Sequence, residues 1–361
     1  MEKLNKKVIV GLSGGVDSAV SAALLKQQGY EVIGATMKLW SKEYADNIQK
    51  SACYGPGEKE DIEAAMRVAD ILGIEHMIID LSKEYEKYVL DYFKEEYLSG
   101  RTPNPCVMCN QKIKFGYLVD KIVEAGIKFD YFATGHYAQV SYNQEKKRFL
   151  LLRGKDEKKD QSYFLYRLSQ EQLGRALFPL GNFRKEEVRK MAKELGLNEF
   201  AEKEESQDFI EGGDYSQVIG EKGQRPGNIV DKKGNVMGKH KGLSNFTVGQ
   251  RKGLDIGGLS EPYYVIDIDV CKNQVVVGKK EEAFCSSFIV KDINWIAFEK
   301  LDSPIEAQVR TRSSAELIDC KIIPFDDKIE VELSKPCFAI AKGQSAVFYS
   351  DNVVLGGGII D

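Results

Sequence analysis

The most constraining passage in the chain is KVIVGLSGGVDSAVSAALLKQQG, residues 7–29. An apolar run with β-branched residues (7–12) passes directly into a glycine-bearing turn. The turn opens a segment with apolar residues at helical spacing (16–28) that stops at Gly29. A strand that is apolar at every position has to be covered on both faces, which points to a mostly parallel sheet flanked by helices. The alternation continues with strand-like 31–39, helical 60–73 ending at Gly73, strand-like 76–81, helical 83–98 and 111–126, and FDYFATGHYA (129–138) as a further strand with its exit loop. The expected fold class is α/β, a doubly wound, mostly parallel sheet.

The pattern then changes. After RFLLLRG (148–154) two helical segments follow, around 169–177 and 184–195, and residues 212–260 are rich in glycine with little room for long helices. From about residue 263 short strands recur (YYVIDIDV, QVVVGK, SFIVKDINWI, EAQVRTR), the signature of a small antiparallel barrel or sandwich. The expected domains are 1–207, 208–271 and 272–361. No apolar run approaches the roughly 20 residues of a membrane helix, and no signal-peptide core precedes the first strand, so a cytoplasmic protein without a membrane partner is expected. Seven cysteines, an odd number, argue against a disulfide framework in that compartment. A net charge of −4, from 51 basic and 55 acidic residues, excludes indiscriminate nucleic-acid binding but leaves room for a local basic face.

SGGVDS (13–18) stands where the first strand becomes the first helix. Gly14 and Gly15 allow a tight turn and close approach of a ligand, and the amides at a helix start face an anion. Ser13 and Ser18 add hydroxyl donors, and Asp17 would orient the loop or hold Mg2+. The lysine of a G-x-x-x-x-G-K-[ST] loop is missing, so a different kind of nucleotide site is implied. The plainer alternative is a glycine-rich turn with Ser or Asp capping a helix. The full string resembles the PP-loop of ATP pyrophosphatases, which leave AMP on their substrate.

Further strings narrow the resemblance: TMKLW (36–40), NPCVMCNQKIKFG (104–116), ATGHYA (133–138), KDQSYFLY (159–166), FPLG (178–181), ESQDF (205–209), TVGQRKGL (247–254) and KGQSAVFY (342–349). Together they resemble the tRNA-specific 2-thiouridylases over nearly the whole chain. That resemblance implies an N-terminal PP-loop domain, a small central tRNA-contacting domain and a C-terminal β-barrel. It implies adenylation of the 2-carbonyl oxygen of the tRNA wobble uridine by ATP with Mg2+, then replacement of that oxygen by sulfur. By matched motif, Gly11, Leu12, Ser13, Gly14, Gly15, Val16, Asp17 and Ser18 would hold ATP phosphates, with Met37 and Gly135 lining the adenine and ribose pocket. His136, Lys159, Asp160, Gln161, Arg310, Thr311, Arg312 and Gln344 would meet the tRNA anticodon loop, whose target base must be extruded before it can react. Alternatives are a PP-loop enzyme thiolating another nucleoside or position, and a tRNA-binding relative without activity.

The resemblance also implies a nucleophile, Cys109, and a second cysteine carrying persulfide after the ESQ string. Here ESQDFIEGGDY has no cysteine between Lys203 and Tyr215. Cys53, in a Gly- and Pro-containing loop after the second strand, and Cys106 are the remaining thiols that a doubly wound sheet would gather at its ligand edge. Four readings stay open: unrelated packing thiols, a structural zinc with His136 or an Asp as fourth ligand, a Cys106–Cys109 redox pair, or a 4Fe–4S cluster on Cys53, Cys106 and Cys109. The cluster is preferred, because an open iron would replace the missing persulfide carrier. The expected sulfur donor is a cysteine desulfurase, a relay protein or free sulfide.

Overall fold

The computed structural model describes residues 6–40, 55, 57–201, 216–257 and 261–361. Its first layer is a five-stranded parallel sheet in the order β3-β2-β1-β4-β7, made from β1 (Lys7–Gly11), β2 (Glu31–Lys38), β3 (Glu75–Asp80), β4 (Tyr131–Ala133) and β7 (Ala176–Leu177). Val8, Ile9 and Val10 of the central strand are wholly buried, because α1 (Val16–Gln27) and α2 (Glu58–Leu72) help to cover one face and the chain from residue 82 to 124 the other. Small residues at Ala19, Ala22, Ala65 and Ala69 let α1 and α2 lie close to the sheet and to each other. Gly73, left-handed at φ 56°, closes α2.

Two helical runs cover the second face. The first, α3, joins Ser82–Tyr85, Glu86–Leu90 and Asp91–Leu98. The second, α4, joins Pro105–Met108, Cys109–Tyr117 and Leu118–Glu124, and its middle stretch is wound more widely than an α-helix. Three shorter helices follow among the described residues of this domain, α5 (Gln170–Arg175), α6 (Lys185–Glu194) and α7 (Asn198–Ala201). The helix expected over 169–177 gives up its last two residues to β7, which pairs with β4.

The glycine-rich stretch carries β8 (Gly227–Asp231) and β9 (Val236–His240), which join β10 (Tyr264–Asp269) and β11 (Gln274–Gly278) in a mixed sheet, β10-β11-β8-β9. Residue 271, expected as a domain boundary, lies in the turn between β10 and β11. By those bounds β11 was expected in the barrel, but it pairs with β8 in parallel, a long-range match that no local pattern announces. The barrel itself is antiparallel and closed: β12 (Phe284–Trp295), β15 (Lys328–Phe338), β14 (Ile318–Phe325), β13 (Ile305–Arg310), β16 (Ser345–Ser350) and β17 (Val353–Ile360), with β17 returning to β12. A hairpin from the first domain, β5 (Ala138–Asn143) and β6 (Arg148–Arg153), attaches to it. Leu151 and Leu152 pair with Val354 and Val353 at the start of β17. Among the described residues no helix is long and apolar enough to cross a membrane.

Candidate functional site

The loop between β1 and α1 stands at the carboxyl edge of the parallel sheet. Gly14 is left-handed (φ 71°), and a Cβ there would lie 2.6 Å from the Asp61 carbonyl oxygen of α2. Both facts demand glycine. The Ser18 hydroxyl ties the loop together by accepting from the Ser13 amide (3.2 Å) and donating to the Gly15 carbonyl (2.9 Å). Leu12 is fastened from behind: its amide donates to Ala35 (2.9 Å) and its carbonyl accepts from the Thr36 hydroxyl (2.9 Å), itself 2.8 Å from His76 Nε2. Gly15 caps α1 without a side-chain bond, so the first-turn amides and the positive helix end are directed at the loop.

Asp17 is bound on both oxygens by Lys185 Nζ (2.8 Å each) and on one by the Tyr137 hydroxyl (2.9 Å). Asp17, expected to orient the loop or hold Mg2+, is thus tied to two side chains from distant parts of the domain. Lys185, at the start of α6 and with only 8% of its side chain exposed, was not singled out from the sequence. It lies 168 positions from Asp17, and the one hint was the missing loop lysine. Gly135 presses against the same turn, where a Cβ would sit 2.8 Å from the Asp17 carbonyl carbon. Met37 stands near the carboxyl end of β2, half-buried, paired with Ile79.

His136 is buried beside Gly135, with Nδ1 2.7 Å from the Thr134 hydroxyl. Burial, and then the nearby Lys114 ammonium, holds its imidazole well below the usual range, so it is neutral at pH 7. Phe178 meets its ring edge-on at 6.0 Å, and Phe115 lies 6.4 Å away. Phe115 also stands edge-on to Phe132 of β4 at 5.2 Å. Phe115 and Lys114 belong to α4, whose first turns carry the two cysteines, so this aromatic group seats the cysteine helix against the sheet edge. Lys114 too was missed, although it lies inside the quoted NQKIKFG string. Cys106 is exposed and Cys109 is buried, in the turns that follow the capping residue Asn104. Cys53 and the ESQDF string lie outside the described residues. Among the described residues no group of three or more His, Cys, Asp or Glu side chains is spaced to hold a metal ion.

The family described as "tRNA methyl transferase HUP domain" matches residues 6–211, "tRNA methyl transferase PRC-barrel domain" matches 217–279, and "Aminomethyltransferase beta-barrel domain" matches 285–360. Among curated proteins, the chain is 46% identical to the tRNA-specific 2-thiouridylase MnmA of Endomicrobium trichonymphae, over 98% of both chains. It is 48% identical to tRNA-specific 2-thiouridylase MnmA 1 of Caldanaerobacter subterraneus, over 99% of both. With MnmA of Acetivibrio thermocellus it shares 46% identity, over 98% of this chain and 99% of that one. The chain belongs to the tRNA-specific 2-thiouridylase family.

In this 2-thiouridylase family member, the strings expected at the tRNA are also engaged inside the protein. The Asp160 carboxylate, with no exposed surface, accepts from the Gly154 and Ser162 amides (3.1 Å each), the Ser162 hydroxyl (3.1 Å), Arg153 Nε (3.4 Å) and Arg310 Nη1 (3.3 Å). Gln161 exchanges two bonds with the backbone of Tyr137. Thr311 is buried against Cys337, and the exposed Arg312 donates to the Phe338 carbonyl (3.2 Å). Gln344 donates to the carbonyls of Thr102 (3.2 Å) and Pro103 (2.9 Å), so the KGQS loop of the barrel buttresses the segment leading to Cys106. Lys159 is half-buried, one position before the sealed Asp160.

Proposed function

We infer that the chain is an ATP-dependent tRNA sulfurtransferase that converts the wobble uridine to 2-thiouridine. The observation that carries this reading is the shared edge: the SGGVDS loop, Gly135 and His136 meet at the ends of adjacent strands, and Phe115 brings the helix of Cys109 to the same place. Curated relatives matched over 98% and 99% of their length are named tRNA-specific 2-thiouridylases.

A uridine carbonyl oxygen is a poor leaving group. In the proposed sequence, O2 of the extruded uridine attacks the α-phosphorus of ATP, the bond to the bridging oxygen breaks, and pyrophosphate departs. Mg2+ would accompany the phosphates. The first-turn amides of α1 and the hydroxyls of Ser13 and Ser18 bind the phosphates, while Lys185 and Tyr137 fix Asp17 and so the loop's shape. A sulfur nucleophile delivered at Cys109 then attacks C2, and the C2–O bond breaks to release AMP. Neutral His136 offers a hydrogen bond without adding charge.

The sequence has no second cysteine where the persulfide carrier would stand. Cys106 and Cys109, with Cys53, would hold a 4Fe–4S cluster, and the chemistry such a group would supply is sulfide-level sulfur for the activated carbon. Anaerobic incubation with ATP, Mg2+, sulfide and unmodified tRNA, followed by digestion and mass spectrometry, should yield 2-thiouridine together with tRNA-dependent pyrophosphate release. Absence of any thionucleoside from protein that binds both substrates, with and without a cysteine desulfurase added, would sink the reading. Absence of iron and acid-labile sulfide after reconstitution would sink the cluster alone.

A further inference from the structure

We propose that Asp160, Gln161 and Arg310 are positioning residues that link the barrel to the nucleotide loop, and that they act on ATP through Tyr137. The inference rests on the reading of SGGVDS as the ATP site. Asp160 has no exposed side-chain surface and Arg310 only 9%, so neither the carboxylate nor the bulk of the guanidinium is available to a nucleic acid in this arrangement. What they do touch forms a continuous path. Arg310, at the end of β13, donates to Asp160 and lies over the ring of the wholly buried Tyr349, 5.6 Å from its centroid. The Tyr349 hydroxyl is 3.5 Å from that of Ser162, which donates to Asp160.

Gln161 follows in the chain. Its amide donates to the Tyr137 carbonyl (2.9 Å), and its side-chain oxygen accepts from the Tyr137 amide (3.0 Å). The Tyr137 hydroxyl then reaches Asp17 Oδ1 at 2.9 Å, in the first turn of α1. There is no slack at either end. A Cβ on Gly154 would lie 2.7 Å from the Tyr137 carbonyl oxygen, and one on Gly135 would strike the turn of Asp17. A shift of Arg310 on tRNA docking would therefore be felt at the loop through packed, hydrogen-bonded neighbours.

The test is a double-mutant cycle on the full chain with Tyr137→Phe, which removes one hydroxyl at the loop end, and Arg310→Lys, which keeps the charge but loses the fork at the barrel end. ATP affinity is read by titration calorimetry without tRNA, and KM for ATP and for tRNA by pyrophosphate release. Each single variant should weaken ATP binding about three- to tenfold, and the double variant no more than the worse single one. Multiplicative losses, or an Arg310→Lys variant with normal ATP affinity and a raised KM for tRNA alone, would overturn the proposal. If Arg310→Lys does not fold, Gln161→Met, which keeps the length but loses the oxygen that accepts from the Tyr137 amide, is paired with Tyr137→Phe and replaces it with the same expected and opposing outcomes. Wild-type protein that binds no ATP would instead overturn the reading of the loop itself.

Discussion

The nucleotide loop and the hairpin–barrel junction each centre on a carboxylate held by cations, yet they are built on different physics. Asp17 keeps 29% of its side chain exposed, so water shares its charge with Lys185. Asp160 keeps none, and its charge is met by two arginines, two amides and a hydroxyl. A carboxylate in contact with water can give up one partner cheaply and so can belong to a loop that must admit and release a ligand. A sealed one cannot, because an uncompensated buried charge costs far more than an exposed one. The first region is arranged to work and the second to stay put.

The largest effect should come from a change that spares both carboxylates. Cys109→Ala is expected to reduce 2-thiouridine formation at least about a thousandfold. It should leave ATP affinity within about twofold and lower stability by about 1 kcal/mol. Product formation at anything near the wild-type rate would remove Cys109 from the chemistry. Next, Asp160→Ala should cost about 3–5 kcal/mol in chemical denaturation, since the buried Arg310 and the partly buried Arg153 lose their counter-charge. Lys185→Met, at the loop, should cost only about 1–2 kcal/mol, because Asp17 can turn to water. Equal losses would break the contrast between the regions.

The smallest effect is a pH dependence. Burial lowers the proton affinity of His136, His76 and His240 below the ordinary value of 6.5. The unfolded chain then binds more protons than the native one as pH falls below about 6.5. Native stability is complete above that point and declines toward the lower folded-state values. Denaturation midpoints at pH 7.5 and 5.5 should show this fall, and His136→Gln should flatten part of it. A midpoint that rises on acidification would contradict the burial of these rings.

The same contrast explains what could be read from the chain before its structure. The loop, the apolar strand before it and the helix after it occupy residues 7–29 without interruption, so spacing alone exposed them. The junction draws on Tyr137, Asp160 and Arg310, whose meeting depends on β6 finding β17 and β13 finding β16. No periodicity carries that information. The KDQ and RTR strings were legible as unusual, but the sealing of Asp160 and Arg310 within them was not, since charged residues are seldom sealed inside. Lys185 and Lys114 escaped for the related reason that a lysine on a charged helix looks like any solvated lysine until its neighbours are known. The order of the first sheet was accessible in outline because strand–helix–strand units restrict the topologies. The parallel pairing of β11 with β8 was not, because both strands are short and glycine surrounds them.

The attachment of β6 to β17 has a consequence for how the molecule is made. Leu152 leaves the ribosome roughly two hundred residues before Val353, its partner. At roughly 5–20 residues per second that is an interval of about 10–40 s. Throughout it the hairpin presents an unpaired edge, with Phe149 and Leu151 awaiting cover from the same late segment and its neighbours. Such an edge is a template for pairing with another nascent chain. Polysome crowding and growth temperature therefore bear on the yield of this protein more heavily than its finished, closed barrel would suggest, and holdase chaperones should engage it once the hairpin has emerged and release it only after the last strand is out.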